Sequence, residues 1–156
     1  MVLGLADDDE VDAELARDAT AAGQRHAAAA RAGRPTLQAK QDAWRMAVED
    51  DELPNAVQSA VIGGFSQPEQ QDLLRAFVDP YFDVVGEVWK TQAGEMAQNM
   101  AVGLYPALVV DPSVLDRTDK HLRETDPPPA LRRLLLEGRD GVARALRARA
   151  CDAAAG

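Results

Sequence analysis

Residues 93–104, Ala-Gly-Glu-Met-Ala-Gln-Asn-Met-Ala-Val-Gly-Leu, set the fold class. Ala93, Met96, Ala97, Met100, Ala101 and Leu104 recur at +3, +4, +7, +8 and +11, which is one face of an α-helix rather than the alternation of a strand. Pro106 closes this segment. The same grammar extends in both directions. Upstream, Tyr81, Val84, Val85, Val88 and Trp89 form an apolar face after Asp79-Pro80, a dipeptide that predicts a break and a restart. Before that, Glu69 opens a helix carrying Leu73, Leu74 and Phe77, and Gly63-Gly64-Phe65-Ser66-Gln67-Pro68 reads as a turn.

Nearer the start, acidic Asp7–Glu10 suits a helix N-terminus before Val11 and Leu15. Asp18 or Thr20 caps a second helix over 21–32, which Gly33 and Pro35 end; one continuous helix across Asp18 is the alternative. Thr36 caps a third, with Leu37, Trp44, Ala47 and Val48 on one face, and Pro54 takes the first position of a fourth, with Val57, Ala60 and Val61 inward. Downstream, Asp111-Pro112 opens a helix. Asp126-Pro127-Pro128-Pro129 forms a stiff linker before Leu131–Leu136, and Gly138 separates that helix from a last one over 140–150. About ten helices of roughly 8–15 residues follow, too short to persist alone in water and therefore held by packing. The expected fold is all-α, one domain over residues 1–156. It is an irregular HEAT- or armadillo-like α-solenoid of short antiparallel helices, with 1–6 as the cut edge of a preceding element.

Composition agrees. Alanine supplies 29 and leucine 16 of the 156 residues, against one isoleucine and seven aromatics, a balance that favours helix over sheet. The net charge of −9 is unevenly spread: residues 1–115 carry −11 and residues 116–150 carry +3. An acidic body repels a nucleic-acid backbone, so no nucleic acid is expected as a partner. No apolar run has the length of a membrane span, and Met1–Leu5 lacks the basic flank and cleavage signal of a secretory leader. The lone Cys151 cannot form an internal disulfide, which favours a reducing cytoplasm.

Chemistry-bearing motifs are scarce. His26 and His121 lie far apart, and neither has a second ligand at metal-site spacing. Cys151 has no histidine nearby, and no nucleophile elbow, phosphate loop or dinucleotide fingerprint occurs. Asp50-Asp51-Glu52 reads as a solvated helix end. Trp44, Phe65, Phe77, Tyr81, Phe82, Trp89, Tyr105, Met96 and Met100 fall mostly at core spacing. The expected catalytic, cofactor and metal residues of this chain are none.

Several stretches carry a likeness. Arg17-Asp18-Ala19-Thr20-Ala21-Ala22-Gly23 and Ala32-Gly33-Arg34-Pro35-Thr36-Leu37-Gln38-Ala39-Lys40 leading to Trp44 are two of them. Others are Gly64-Phe65 with Gln67-Pro68, Gln70-Gln71-Asp72-Leu73-Leu74, Tyr81-Phe82 leading to Val88-Trp89, and the arginine-rich tail from Leu131-Arg132-Arg133 to Arg144–Arg149. Over residues 7–150 they resemble the C-terminal helical domain of the aminopeptidase N family of zinc metallopeptidases, in its actinobacterial type. The family's His-Glu-x-x-His and Gly-Ala-Met-Glu-Asn motifs are absent. Gly94-Glu95-Met96-Ala97-Gln98-Asn99 matches the second only by coincidence, since Ala97 stands where its Glu should follow the Met.

The resemblance implies a non-catalytic domain that encloses the active-site chamber and controls peptide access, while the parent hydrolase releases N-terminal amino acids. It implies zinc in the parent's catalytic domain and none in this chain, and that catalytic domain and peptide substrates as partners. Gly64, Phe65 and Gln67, on a flexible turn with an exposed ring, and Arg132, Arg133, Arg144 and Arg147, from the only local positive excess, are the expected chamber-facing residues. The alternative is a free-standing helical adaptor that holds a protein partner in its concave groove. A third reading is a small enzyme whose site is assembled from dispersed residues.

Overall fold

The computed structural model describes residues 2–4, 7–50, 52–92 and 94–155, and every regular element among them is helical. The α-helices are α1 (Asp8–Arg17), α2 (Ala21–Ala32), α3 (Leu37–Glu49), α4 (Asn55–Phe65), α5 (Gln71–Leu74), α6 (Val78–Thr91), α7 (Gly94–Gly103), α8 (Pro112–Glu124) and α9 (Pro129–Ala155). Short 3₁₀ turns, Pro68–Gln70 and Arg75–Phe77, flank α5. Ala93 and Asp51, which figure in the patterns above, lie outside the described residues, as do residues 1, 5 and 6 of the expected cut edge.

Local chemistry sets the helix starts. Asp7 and Glu10 form a reciprocal capping box on α1, the Glu10 N–H donating to Asp7 Oδ1 at 3.2 Å and the Asp7 N–H to Glu10 Oε2 at 3.1 Å. Thr20, not Asp18, caps α2, with the Gly23 N–H donating to its hydroxyl. Asp18 ends α1 instead, so two helices stand where one continuous helix was the alternative. Thr36 caps α3 through the Ala39 N–H, and Asp111 caps α8 through the Ser113 N–H. Pro54 sits one residue earlier than expected, as the residue before α4.

Three expected interruptions are not interruptions. Gly63, Gly64 and Phe65 are the last turn of α4, not a loop. Pro80 lies inside α6 at its third residue, where the missing N–H belongs to the first turn and has no intrahelical acceptor to lose. Gly138 lies inside α9, which runs 27 residues without a break. A Cβ at Gly138 would stand 2.7 Å from the Tyr105 ring, so glycine here permits an aromatic ring to lie against the helix backbone. Conversely, the helix expected from Glu69 is broken into two 3₁₀ turns around the four-residue α5.

Packing follows chain order. α2 lies against α4, α4 against α7 and α7 against α9, while α1, α3, α6 and α8 pack on α2, α4, α7 and α9 respectively. At the α2–α4 crossing, a Cβ on Gly64 would fall 2.1 Å from the Ala29 carbonyl oxygen, so only glycine allows this approach. The core holds two aromatic groups. Trp44, Phe65 and Phe77 form one, with Phe65 and Phe77 edge to face at 5.0 Å. Tyr81, Phe82 and Tyr105 form the other, also edge to face. Each such pair adds about 0.5–1.5 kcal/mol beyond its buried area. Leu131, Leu135 and Val142 anchor α9 in the same core. Leu37, expected on the inner face of α3, is 45% exposed, because the stripe that turns inward is Lys40, Ala43, Trp44 and Ala47. No described helix is long and apolar enough to cross a membrane.

Candidate functional site

The densest polar arrangement lies where α2 and α4 end side by side. The last carbonyls of a helix lack intrahelical donors and carry the negative pole of its dipole. Lys40, on the apolar stripe of α3 and fully buried, fills that need with its ammonium: Nζ donates to Ala32 O at 2.8 Å, to Phe65 O at 2.8 Å and to Gly64 O at 3.4 Å. It also lies 5.6 Å from the Phe65 ring centroid. Gln67 Nε2 donates to Gly63 O and Gly64 O at 2.9 and 3.1 Å. Gln70 Nε2 donates to Gly33 O at 2.9 Å and Val2 O at 3.0 Å. Three side chains thus tie together two helix ends and the chain near Val2. Among the described residues no carboxylate hydrogen-bonds the Lys40 ammonium, and burial lowers its pKa to about 8.

This geometry gives three of the seven expected chamber-facing residues other roles. Phe65 is 3% exposed, wedged between Trp44 and Phe77, and offers no ring to a chamber. Gly64 is the close-approach point described above, and Gln67 is a helix cap. Arg132, Arg133, Arg144 and Arg147 are exposed along α9. Arg133 pairs with Glu137 and Arg144 with Asp140, both one turn away. Arg132 lies 3.8 Å from Asp126, and Arg147 has no ion pair among the described residues. Arg149, outside that set, donates to Val110 O at 3.1 Å and to Oε1 of Gln71, the first residue of α5, at 3.3 Å. Lys40 escaped the sequence reading, although its position one turn before Trp44 on an apolar stripe was a usable signal.

A second polar seam joins α8 to its neighbours. Arg117 bridges Asp79 and Asp83 at 2.8 Å each and lies over the Phe82 ring. Arg139 holds Asp119 with two bonds of 2.6 Å, and the Tyr105 and Thr118 hydroxyls meet at 2.8 Å inside. His121 is buried against Phe82, and its Nε2 has no hydrogen-bond partner. Burial first, and then Arg117, holds its pKa below the usual histidine value. Beside this seam lies an open cavity of about 420 Å³ that mixes Arg75, Arg117 and Lys120 with Asp79 and Asp116, two of whose cations, Arg75 and Arg117, are already paired with carboxylates.

His26 is exposed on α2, and His121 is enclosed on α8. Among the described residues no three His, Cys, Asp or Glu side chains are grouped to hold a metal ion.

A helical domain whose polar side chains serve helix ends and seams is the class of protein these features define. The chain belongs to the ERAP1-like C-terminal domain family, whose profile matches residues 1–144. It is 57% identical over 146 residues to Aminopeptidase N of Streptomyces lividans, an alignment covering 94% of this chain and 17% of the relative. The resemblance read from the spaced residues thus holds: this is a C-terminal domain of the aminopeptidase N kind. The chain spans under one fifth of that relative's length.

Proposed function

We propose that this chain serves as the non-catalytic C-terminal domain of a cytoplasmic zinc aminopeptidase. Its helices form an irregular α-solenoid that walls the chamber in which the parent releases N-terminal amino acids from peptides. The observation that carries this reading is the 57% identity to Aminopeptidase N across nearly the whole chain, confined to a small share of that enzyme. The packing of α2, α4, α7 and α9 in series, each joined by one of α1, α3, α6 and α8, supports a curved stack. A wall of this kind limits entry to peptides and unfolded ends. Arginines suit it because a guanidinium fork receives a peptide carboxylate in two bonds. Arg132, Arg133, Arg144 and Arg147 keep the exposure that this role requires.

The test is an exchange. In Aminopeptidase N of Streptomyces lividans the matching segment is deleted, or replaced by this chain, and hydrolysis of an aminoacyl anilide is compared with that of peptides of increasing length. Deletion is expected to abolish discrimination by length, and the replacement to restore it. The chain alone, with chelator present, is expected to hydrolyse nothing. A replacement indistinguishable from the deletion, or hydrolysis by the chain alone, overturns the reading.

A further inference from the structure

We propose that the groove between α1 and α2 receives the arginine-bearing end of α9 from a second copy of this chain, in head-to-tail contact. This goes beyond the chamber role and does not depend on it. The groove has a volume of about 340 Å³. Its floor is apolar and shallow, made of Val11, Leu15, Gly23, Ala27 and Ala30, so a helix with small side chains can lie close. Its polar lining is Glu10, Glu14 and Asp18 together with His26, so acids outnumber bases. The whole stretch 7–18 carries seven acids and one arginine.

The matching surface is the last part of α9, whose Arg149 contacts Gln71 and Val110 rather than α1 or α2. Val142 is the last buried residue of α9, and every residue from Arg147 to Ala155 is exposed. Here 144–151 reads Arg-Ala-Leu-Arg-Ala-Arg-Ala-Cys, in which Arg144 pairs with Asp140, Arg149 bonds Val110 O and Gln71 Oε1 of its own molecule, and Arg147 has no ion pair among the described residues. An alanine-rich cationic helix is what an alanine-floored groove with a mostly acidic polar lining accepts. Within one molecule the two surfaces do not meet, since α1 packs on α2, whereas α9 packs on α7 and α8. Because donor and acceptor are different surfaces, the contact leaves a free helix and a free groove at the ends of each assembly and lets it grow.

Sedimentation of the intact chain over a concentration series tests this, in 0.1 M and 1 M salt, where the Debye length falls from about 10 Å to about 3 Å. The expected result is a mass that rises with concentration at low salt and returns to the monomer at high salt. Glu14→Arg and Arg147→Glu change exposed side chains only, and circular dichroism confirms that each variant folds. Each alone is expected to associate at least tenfold more weakly than the parent chain. Mixing the two restores association, because the intact α9 end of Glu14→Arg meets the intact groove of Arg147→Glu, and the double variant, whose reversed groove meets its own reversed helix in another copy, associates by itself. A chain monomeric at every concentration overturns the proposal, as does association untouched by either substitution, or a mixture that stays monomeric. A groove that binds an unrelated arginine-bearing helical peptide while the chain itself stays monomeric also overturns it, in favour of a foreign basic helix.

Discussion

Lys40 holds Phe65 twice: its ammonium bonds the Phe65 carbonyl at 2.8 Å and lies 5.6 Å from the centroid of the same residue's ring. One fully buried cation thereby fastens the carboxyl end of α4 to that of α2 and helps fix the ring that packs on Trp44 and Phe77. Removing the cation strands carbonyls that no water can reach.

Lys40→Met, which keeps the volume and deletes the donors, is therefore expected to lower unfolding free energy by about 2–4 kcal/mol, read from urea titration. The pH dependence has a definite sign. With the native pKa near 8 and the unfolded value near 10.5, the unfolded chain binds more protons between those limits. The desolvation penalty is in full force below pH 8 and is relieved as pH rises. Stability of the parent chain relative to Lys40→Met is expected to increase from pH 8 to 10.5, and a decrease would contradict a depressed pKa.

Phe65→Ala separates a core residue from a chamber-facing one. Buried in the aromatic cluster, the ring's loss is expected to cost about 3–5 kcal/mol, whereas a ring on an exposed turn would cost under about 0.5 kcal/mol. Thermal unfolding distinguishes the two directly.

His121 makes the fold acid-sensitive. Its native pKa lies below the model-peptide value of 6.5, so its contribution to stability is complete above pH 6.5 and falls away as pH drops below it. Arg117 opposes protonation while Asp83 and Glu124 favour it, and burial outweighs all three. His121→Leu is expected to flatten the decline in melting temperature between pH 7 and pH 5, while leaving the decline caused by the carboxylates.

The glycines divide by what surrounds them. Nothing lies within 4 Å of a Cβ built on Gly86 or Gly141, both inside helices, so Gly86→Ala and Gly141→Ala are each expected to stabilise by about 0.5–1 kcal/mol. Gly64→Ala drives its methyl into the Ala29 carbonyl, which is backbone and cannot swing aside. That variant is expected to lose more than about 2 kcal/mol or to separate α2 from α4. Chemical denaturation of the three proteins ranks them.

Much of the fold was legible in the residues themselves. Asp7, Thr20, Thr36 and Asp111 announced four helix starts because a cap is a bargain struck within about four residues, and the apolar stripes identified most of the core for the same local reason. Kinship was legible too, since spaced patterns survive wherever each residue keeps its own job. Gly64, Pro80 and Gly138 misled for one shared reason. A small or ring-closed residue signals a break when solvent surrounds it, but it permits close approach or costs nothing when a helix packs beside it or the first turn contains it. Only the tertiary structure decides which neighbour arrives. Likewise, the order of residues placed Lys40 on an apolar stripe, but its purpose appeared only when α2, at Ala32, and α4, 24 and 25 residues away at Gly64 and Phe65, brought their helix-end carbonyls to one point.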